Sequence, residues 1–412
     1  MNFPRFFISL ASPKILSFGK AQIYLAFRSL ICIFAPKNRN DMINVCIVAG
    51  ARPNFIKVAP LIRAIKGADD MDYQLIYAGT EKDPTLEGSL FDDLQIARPD
   101  VFLGVDSTSL NEITGQVMGA FDRYLEEHPA DVVVVVDDLA STMAAAIVTK
   151  KRGIILAHLV AGTRSFDIKM PKEVNRLVID GLSDLLFTAG VSNSSITNRE
   201  GAEQSRVYRV GNILIDNLRF NHSRWQRPAI MDELQLEEGK YIVFTLNRKA
   251  LLEDQENLKK MIQTIVEARG EKQEARIPVV APLRGKALDV VSSLTSHFSP
   301  LTSQLMIVPS LPYLEFGYLT SHALGVITDS GNVAEEATFN GVPCITLNSY
   351  TEHVETVKQG TNVLVGEDAE QLEKAMHDLL DGNWKKGSLP DRWDGRTAER
   401  IVQILRDAVI TK

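Results

Sequence analysis

The sequence predicts an α/β protein of two doubly wound, Rossmann-like lobes that face a central cleft. Short apolar runs alternate with helical stretches along most of the chain, and this alternation stops once and then resumes. The apolar runs are mostly continuous, which is typical of parallel strands covered on both faces. The length of 412 residues also favours two domains, since a domain usually has roughly 100–200 residues.

The first βα series is expected to form an N-terminal lobe over residues 42–220. Helices are predicted at residues 53–66, 110–127 and 141–151. This order predicts a parallel sheet that is covered by helices on both faces. The strands are predicted at residues 44–49, 73–78, 131–136, 154–158, 185–188 and 207–210.

Residues 212–239 have no strong periodicity and are interpreted as the interdomain connection. A second βα series follows and is expected to form a C-terminal lobe over residues 221–394, with helices at 255–268 and 331–340. A final helix at 398–408, within residues 395–412, is expected to pack back on the N-terminal lobe. The strands of the second series are predicted at residues 241–246, 277–280, 305–308, 324–328, 343–347 and 362–365.

The net charge of −7 and the pI of about 5.6 disfavour a general nucleic-acid binder, since such proteins need a basic face for the phosphates. The three cysteines, Cys32, Cys46 and Cys344, are too widely spaced for a disulfide framework or a zinc cluster. We therefore expect a cytoplasmic protein that holds no metal. No predicted strand is followed by a Walker-type phosphate loop or a Gly-x-Gly-x-x-Gly motif, which disfavours ATPases and dinucleotide oxidoreductases.

Residues 1–41 differ from the rest of the chain, because they carry six basic side chains and one acid, Asp41, among many apolar residues. Their longest charge-free piece after Arg28 covers residues 29–36, far short of the ~20 residues that span a bilayer. Three interpretations stay open: an upstream over-read of the start, since a good first strand directly follows Met42; a basic segment that rests on a membrane surface; and a targeting element.

Arg52 and Lys57 are predicted to bind an anion in the N-terminal lobe. Gly50, at the end of the first strand, permits a tight turn, and Pro53 suits the first turn of a helix. Arg52 then projects from a helix N-terminus, whose unpaired amides favour anions, and Lys57 follows about one turn later. An ordinary surface loop with two cations is the alternative interpretation.

Further polar residues follow later strands of this lobe. Asp137 and Asp138 come after a run of valines, at the edge of the sheet where α/β active sites lie, and a helix cap explains one of them but not both. His158 ends the next strand and is interpreted as a structural residue. Arg164 and Arg176 are further candidates for anion contacts.

In the C-terminal lobe, residues 328–336 join a strand to a helix and predict a nucleotide site. The small residues Ser330 and Gly331 let the backbone approach a pyrophosphate, whose charge the helix N-terminus stabilises. Glu336 lies about a turn and a half along this helix, where its carboxylate can accept both hydroxyls of a ribose. Two facing lobes of this kind usually bind a nucleotide-bearing substrate between them.

The chain from residue 43 to 366 resembles the non-hydrolysing UDP-N-acetylglucosamine (UDP-GlcNAc) 2-epimerases, which have a two-lobed glycosyltransferase-B-type fold. The resemblance rests on motifs that occur in the family's order along the chain. These are residues 50–53 with Lys57, Asp138 with Ser141 and Thr142, His158 with residues 161–165, Pro171 with Glu173, Asn175 and Arg176, Gly211 and Asn212 with Asp216, residues 329–331 with Glu335 and Glu336, and Thr351 and Glu352 with Glu355.

The resemblance implies roles for single residues. Arg52 and Arg176 contact the diphosphate, Ser330 and Gly331 offer it backbone donors, and Glu336 holds the ribose. The family's reaction inverts C2 of UDP-GlcNAc to give UDP-ManNAc through loss and re-addition of UDP. This reaction needs an acid and a base on opposite faces at C2 and cations that stabilise the departing UDP. The resemblance implies no cofactor, and it implies a homodimer.

The sequence departs from the family at positions that carry chemistry. The family has a glutamate where Val160 stands, a glutamate where Lys172 stands, and a histidine where Asn247 stands. Asn247 and its neighbour Arg248 stay candidates for phosphate contacts, although an amide brings no charge. Other departures are Thr80 and Glu81 for a Gln-His pair, Arg284 for a histidine, Asn332 for a glycine, and His353 and Val354 for the Arg-Pro of an Arg-Pro-Glu motif.

Loss of a general acid or base typically lowers a rate roughly 10²–10⁴-fold. The sequence therefore predicts a UDP-N-acetylhexosamine-binding protein, in the context of polysaccharide precursors, whose 2-epimerase chemistry is impaired or altered. Asp138 is the retained catalytic candidate, and Lys172 and Glu173 are further ones. The alternatives are an active UDP-GlcNAc 2-epimerase and a UDP-sugar glycosyltransferase. The expected partners are a UDP-sugar and either a second copy of the chain or an active epimerase paralogue.

Overall fold

The computed structural model describes residues 42–268, 277–295 and 305–411. Within them the chain forms two parallel sheets, one of seven strands and one of six, with helices packed against both. This arrangement confirms the α/β fold of two doubly wound lobes. The three interpretations of residues 1–41 concern a segment that lies outside the described residues.

The first sheet belongs to the N-terminal lobe. Its strands are β1 Ile43–Ala49, β2 Met71–Tyr77, β3 Val101–Phe102, β4 Val132–Val136, β5 Ile155–Ala161, β6 Leu185–Thr188 and β7 Val207–Arg209. They lie in the spatial order β3-β2-β1-β4-β5-β6-β7, so Ile47 in β1 is opposite Leu75 on one side and Val134 on the other. Since all neighbours are parallel, the carboxyl ends of the strands meet at one edge of the sheet.

Continuous apolar strands explain why this sheet is buried on both faces. All residues of β4 are valines with no exposed surface, and they alternate between two cores. Val134 belongs to the same core as Phe55, and Val133 belongs to the core of Phe121 on the other face. The covering helices are α1 Arg52–Lys66, α2 Gly88–Leu94, α3 Leu110–Glu127, α4 Ala140–Lys151, α5 Pro171–Leu182 and α6 Val191–Arg199.

The second sheet repeats this plan in the C-terminal lobe. Its strands are β8 Ile242–Phe244, β9 Val279–Leu283, β10 Leu305–Pro309, β11 Gly325–Thr328, β12 Cys344–Thr346 and β13 Asn362–Leu364, in the spatial order β10-β9-β8-β11-β12-β13. Every pairing is parallel, which places the carboxyl ends of β8 and β11 side by side. The helices of this lobe are α9 Lys249–Glu253, α10 Gln255–Glu267, α11 Gly285–Thr295, α12 Tyr313–Ser321, α13 Gly331–Asn340, α14 Val354–Lys358 and α15 Ala369–Leu380.

The segment between the lobes is more regular than the sequence suggests. It contains helix α7, Ile213–Asn221, and the single turn α8, Ile230–Glu233. Asn212 caps α7, because its side-chain oxygen accepts a hydrogen bond from the amide of Leu214 at 3.0 Å. Residues of α7 are buried on most sides, so the helix lacks the one-sided apolar stripe that reveals a surface helix. The two-residue strand β3 was not predicted either, because it is too short to form a pattern.

The final helix, α16 Thr397–Thr411, returns to the N-terminal lobe. Its residues Ile401 and Leu405 are part of the core that contains β1 and α1. The amide of Ala398 donates to Asp216 at 2.7 Å, and Arg406 forms an ion pair with Asp70 at 2.6 Å. Among the residues that the structure describes, no helix combines the length and the apolar character needed to cross a membrane.

Candidate functional site

The two sheets present the carboxyl ends of their strands to a cleft between the lobes. The cleft encloses about 700 Å³. Loops after β1, β4 and β5 line one wall, and the start of α13 lies on the other. The residues that line the cleft include Asn54, Lys57, Asp137, Asp138, Val160, Lys172, Arg176, Asn247, Arg248, Ser330, Gly331, Tyr350, Glu352 and His353.

Lys57 and Asp137 form an ion pair in the wall of the N-terminal lobe. The ammonium of Lys57 lies 2.6 Å from Oδ1 of Asp137, while the amide of Asn54 donates to Oδ2 at 2.8 Å. Burial lowers the pKa of Lys57, but the charges of Asp137 and Glu335 outweigh it and hold the pKa above its usual value. Lys57 is therefore a charged residue of the cleft whose charge is already balanced by Asp137.

Arg52 differs from Lys57, because its Nε atom is buried and has no hydrogen-bond partner. Arg52 begins α1, and its guanidinium lies within electrostatic reach of Arg284 and Glu336 on the other lobe. Burial and the like charge of Arg284 lower the pKa of Arg52. A guanidinium with an unsatisfied donor and a second cation nearby is an environment that favours an anion.

Asp138, at the end of β4, lies between two cations of α5. Its carboxylate is 2.6 Å from Nη2 of Arg176 and 3.5 Å from Nζ of Lys172. Burial raises the pKa of Asp138, but the charges of Lys172 and Arg176 lower it by more, so the pKa lies below its usual value. Asp138 is therefore a carboxylate at neutral pH, and Lys172 is its more exposed partner.

Glu173 is buried behind this group, where its carboxylate accepts hydrogen bonds from neighbouring residues. The amide and hydroxyl of Ser165 and the amide of Phe166 each donate to it at 2.9 Å, and Arg176 donates at 3.0 Å. Burial raises the pKa of Glu173, but these hydrogen bonds lower it more. The contacts fix the loop after β5 and the guanidinium of Arg176.

His158 and Arg164 surround the buried carboxylate of Asp180. Nδ1 of His158 is 2.5 Å from Oδ1 of Asp180, and Nη2 of Arg164 is 2.7 Å from Oδ2. Arg164 also forms an ion pair with Glu200. His158 lines the cleft, and its ring is held between Asp180 and the carbonyl of Asp137, which lies 3.0 Å from Nε2, whereas Arg164 is buried in ion pairs within the lobe and does not line the cleft.

Val160 lines the cleft in a left-handed backbone conformation, with φ of 73°. The register of β5 against β6 shifts between Leu159 and Ala161, so Val160 is the residue of a β-bulge. Positive φ is a genuine outlier for a β-branched residue. Val160 therefore lines the same cleft as Asp138 and Lys172, with an apolar side chain.

In the C-terminal lobe, Asp329 organises the loops that follow β8 and β11. Its Oδ2 accepts hydrogen bonds from the amides of Asn247, at 2.7 Å, and of Arg248. The guanidinium of Arg248 donates to Asn348 at 2.6 Å. The same region begins α13 at Gly331, and the cap residue Ser330 makes no side-chain cap hydrogen bond. The first amides of α13 thus face the cleft beside Arg248.

Two adjacent glutamates on α13 have opposite electrostatic states. Glu335 accepts from Asn212 at 2.7 Å and lies 2.8 Å from Nδ1 of His353, and these partners hold its pKa below the usual value although burial raises it. Burial and the charge of Glu335 raise the pKa of Glu336 to about 8, with Arg52 acting in the opposite direction. Glu336 is therefore largely protonated at neutral pH.

The lobes are joined by contacts that the sequence did not reveal. Arg176 of α5 lies 2.6 Å from Glu352, and Asn212 donates to Glu335 across the same boundary. Sequence reasoning missed the roles of Glu352 and His353 in the cleft. The available signal was their position directly after Thr351, within a motif of the family. By contrast, Glu81 and Arg284 are exposed, and both are absent from the residues that line the cleft.

A family profile described as UDP-N-acetylglucosamine 2-epimerase matches residues 63–406 of the chain. The chain belongs to this family. The match extends through the second lobe and into α16, so both walls of the cleft belong to the family's fold.

Individual members of the family are similar over nearly their whole length. The UDP-N-acetylglucosamine 2-epimerase of Methanocaldococcus jannaschii is 33% identical over 368 residues, which cover 87% of this chain and 98% of that protein. The UDP-2,3-diacetamido-2,3-dideoxy-D-glucuronate 2-epimerase of Pseudomonas aeruginosa is 32% identical over 325 residues, 78% of this chain and 88% of that protein.

A solved structure supports the same relationship. The crystal structure of the Methanocaldococcus jannaschii UDP-GlcNAc 2-epimerase in complex with UDP-GlcNAc and UDP superimposes with a TM-score of 0.76 at 31% sequence identity. The alignment covers 88% of this chain and 99% of that one. The two-lobed fold predicted from the sequence is therefore the fold of the family.

Proposed function

We propose that this protein binds a UDP-N-acetylhexosamine, UDP-GlcNAc or UDP-ManNAc, in the cleft between the lobes, and that its 2-epimerase chemistry is impaired or altered. The observation that carries the binding proposal is Arg52, at the start of α1, whose buried Nε atom has no hydrogen-bond partner and whose guanidinium is within electrostatic reach of Arg284 on the other lobe. A bound diphosphate would accept from this donor and relieve the repulsion between the two guanidiniums.

The opposite wall supports the same ligand. The amides at the start of α13, from Gly331 onward, would bind the diphosphate, with the cap residue Ser330 and with Arg248 and Asn247 beside them. Glu336 would accept the ribose hydroxyls after losing its proton, which the approach of Arg52 favours. The structure of the Methanocaldococcus jannaschii relative in complex with UDP-GlcNAc and UDP supports a UDP-sugar as the ligand.

The chemistry at C2 has few suitable proton carriers on the N-terminal wall. Val160 brings an apolar side chain to the place where the family has a glutamate, and the neighbouring carboxylate, Asp138, is held by Arg176 and Lys172 with a lowered pKa. A carboxylate stabilised in this way is a weak base. Lys172 would supply charge at this point in place of a carboxylate, while Glu173 would position Arg176 and the loop of Ser165.

An active epimerase is the second candidate function. It is favoured by 33% identity to the Methanocaldococcus jannaschii enzyme over nearly its full length, and by the group of Asp138, Lys172 and Arg176 in the cleft. The Pseudomonas aeruginosa relative acts on a different UDP-sugar, by its description, so another N-acetylated UDP-sugar is the corresponding variant of this candidate. A UDP-sugar glycosyltransferase is the third candidate function, and acceptor-dependent release of UDP would identify it.

The decisive experiment follows the C2 proton. The protein is incubated with UDP-GlcNAc in D₂O, exchange at C2 is followed by NMR, and binding is measured by calorimetry. We expect binding with little or no deuterium incorporation. Fast incorporation with formation of UDP-ManNAc would show an active epimerase, and absence of binding for every UDP-N-acetylhexosamine would overturn the binding proposal as well.

The oligomeric state is a separate proposal. The family resemblance implies a homodimer, and a paralogous active epimerase is the alternative partner. Size-exclusion chromatography with light scattering, alone and with such a paralogue, distinguishes these two arrangements from a monomer.

A further inference from the structure

We infer that His353 is a cation of the diphosphate site, held in its protonated form by Glu335, and that it makes the affinity for a UDP-sugar dependent on pH. This inference rests on the proposed function and adds a residue to it. In the family an arginine stands at this position, whose charge does not titrate near neutral pH. A histidine there carries a charge that does.

The position of the imidazole relative to α13 is the first observation. A Cβ atom placed on Gly331 would lie 2.5 Å from Cδ2 and 2.6 Å from Nε2 of His353. The Nε2 edge of the ring therefore lies against the first residue of α13, where the unpaired amides of the helix face the cleft. A phosphate bound to those amides would lie beside Nε2.

The other ring nitrogen is occupied by a carboxylate. Nδ1 of His353 is 2.8 Å from Oε1 of Glu335, which is buried and also accepts from Asn212. This hydrogen bond fixes the orientation of the ring and leaves Nε2 directed toward α13. A carboxylate in this position stabilises the imidazolium, as it does for oriented histidines in general.

The charges around His353 favour protonation on balance. Glu335 faces it from α13, Glu352 and Glu355 flank it on its own segment, and Lys57 faces it from α1. Burial lowers the pKa of His353 and Lys57 lowers it further, but Glu335 and Glu352 outweigh both and hold the pKa above its usual value. Arg176 partly neutralises the charge of Glu352, and Asp137 partly neutralises the charge of Lys57.

A protonated His353 would act where charge develops during loss of UDP. When the bond between C1 and the glycosidic oxygen breaks, its electron pair ends on the β-phosphate oxygen, and the C2 proton leaves to a base as the C1–C2 double bond forms. The Nε2 proton of His353 would donate to this phosphate oxygen. A charged donor is worth roughly twice a neutral one, and it helps binding even where the chemical step is slow.

Calorimetry with UDP-GlcNAc between pH 6 and pH 9 tests this inference. UDP-GlcNAc is the suitable probe, because its diphosphate diester has the same charge over this range, whereas the terminal phosphate of UDP titrates. The quantity compared is the ratio of the wild-type affinity to the H353Q affinity at each pH, because Glu336 titrates in both proteins. We expect this ratio to be at least roughly tenfold larger at pH 6 than at pH 9, and the ratio of the H353R affinity to the H353Q affinity to stay nearly constant.

Two controls separate the outcomes. Glu336 titrates in the same range in the wild type and in H353Q, so the difference between their pH profiles isolates His353. E335Q removes the carboxylate that keeps the imidazole of His353 protonated. It should therefore weaken binding at pH 7.5, and less so at pH 6, where the imidazole is more readily protonated without it. An NMR titration of the His353 ring protons, with and without UDP-GlcNAc, should show its pKa rising on binding.

The outcomes also separate this inference from the proposed function. A wild-type chain that fails to bind UDP-GlcNAc at any pH would overturn both. Binding by the wild type that H353Q reproduces in strength and in pH profile would overturn the role of His353 alone. If H353Q does not fold, as judged by circular dichroism, the same comparison is made with H353R, and a wild-type pH profile in H353R overturns the inference.

Discussion

The guanidinium of Arg176 lies 2.6 Å from the carboxylate of Glu352, and this ion pair joins the two lobes across the cleft. The same guanidinium is 2.6 Å from Asp138 and 3.0 Å from Glu173. One cation of α5 therefore holds two carboxylates of its own lobe and one of the other. The relative position of the lobes and the electrostatic state of the candidate site depend on the same side chain.

We predict that E352Q loosens the contact between the two lobes. The substitution removes the charge that Arg176 attracts from the other lobe, but Arg176 keeps Asp138 and Glu173 as partners, so the free energy of unfolding should fall by only about 1 kcal/mol. Small-angle scattering should show a larger radius of gyration. The matched control is E367Q, because the Glu367–Arg248 pair lies within one lobe. Equal radii for both variants would contradict the prediction.

R176A should destabilise the fold much more strongly. It leaves Asp138 and Glu173 buried without their cation, and loss of one partner of a buried ion pair typically costs about 3–5 kcal/mol. Urea unfolding measures the change. R152A is the control, since Arg152 pairs with Asp122 on the surface and its removal should change stability little. A similar small effect for R176A would mean that Lys172 replaces it.

Replacement of Val160 by glycine should stabilise the fold. Its φ of 73° is strained for a β-branched residue and is readily adopted by glycine, so V160G should raise the free energy of unfolding by about 1 kcal/mol. V136G, in the fully buried strand β4, should lower it instead. Thermal and urea unfolding of both variants provide the measurement, and a loss of stability in V160G would show that its packing outweighs the strain.

Restoring the family's residues should restore chemistry if the proposed impairment is real. The triple variant V160E, K172E and N247H reintroduces two carboxylates and an imidazole into the cleft. We expect exchange of the C2 proton of UDP-GlcNAc in D₂O to increase by at least roughly 10²-fold. D138N in the triple variant should reverse most of this gain. A wild-type chain that already exchanges as fast as the triple variant would contradict the prediction.

Glu336 should make stability depend on pH. Its pKa rises from 4.5 to about 8 in the folded chain, so the folded state binds one more proton than the unfolded state between these values. Its contribution is complete below pH 4.5, declines as the pH rises, and is lost above about pH 8. E336Q removes this dependence. Unfolding of the two proteins should therefore agree near pH 4.5, with E336Q the more stable at pH 9.

The sequence predicted the fold well because the strands are continuous apolar runs. The predicted segments at residues 185–188 and 331–340 coincide with β6 and α13, and the five valines of β4 require burial on both faces. The strand β3 and the helix α7 escaped prediction for opposite reasons, since β3 has only two residues and α7 is buried on most sides.

The individual contacts of the site were harder to predict. Lys57 was expected to bind an anion, but its pairing with Asp137 depends on a contact over 80 residues of sequence. Arg176 and Glu352 are far apart in the chain, and no local pattern indicates that they meet. The strain at Val160 is also invisible in the sequence, because a valine at the end of an apolar strand is ordinary until its φ is known.

Helix α16 delays the folding of the N-terminal lobe during synthesis. Its residues Ile401 and Leu405, with Trp393 just before it, complete the core around β1 and α1, which are among the first parts of the described chain to be translated. The ribosome releases these residues only after the whole C-terminal lobe has emerged. The lobe that is synthesised first is thus the last to close its core, and chaperones would meet it with an apolar groove still open along α1.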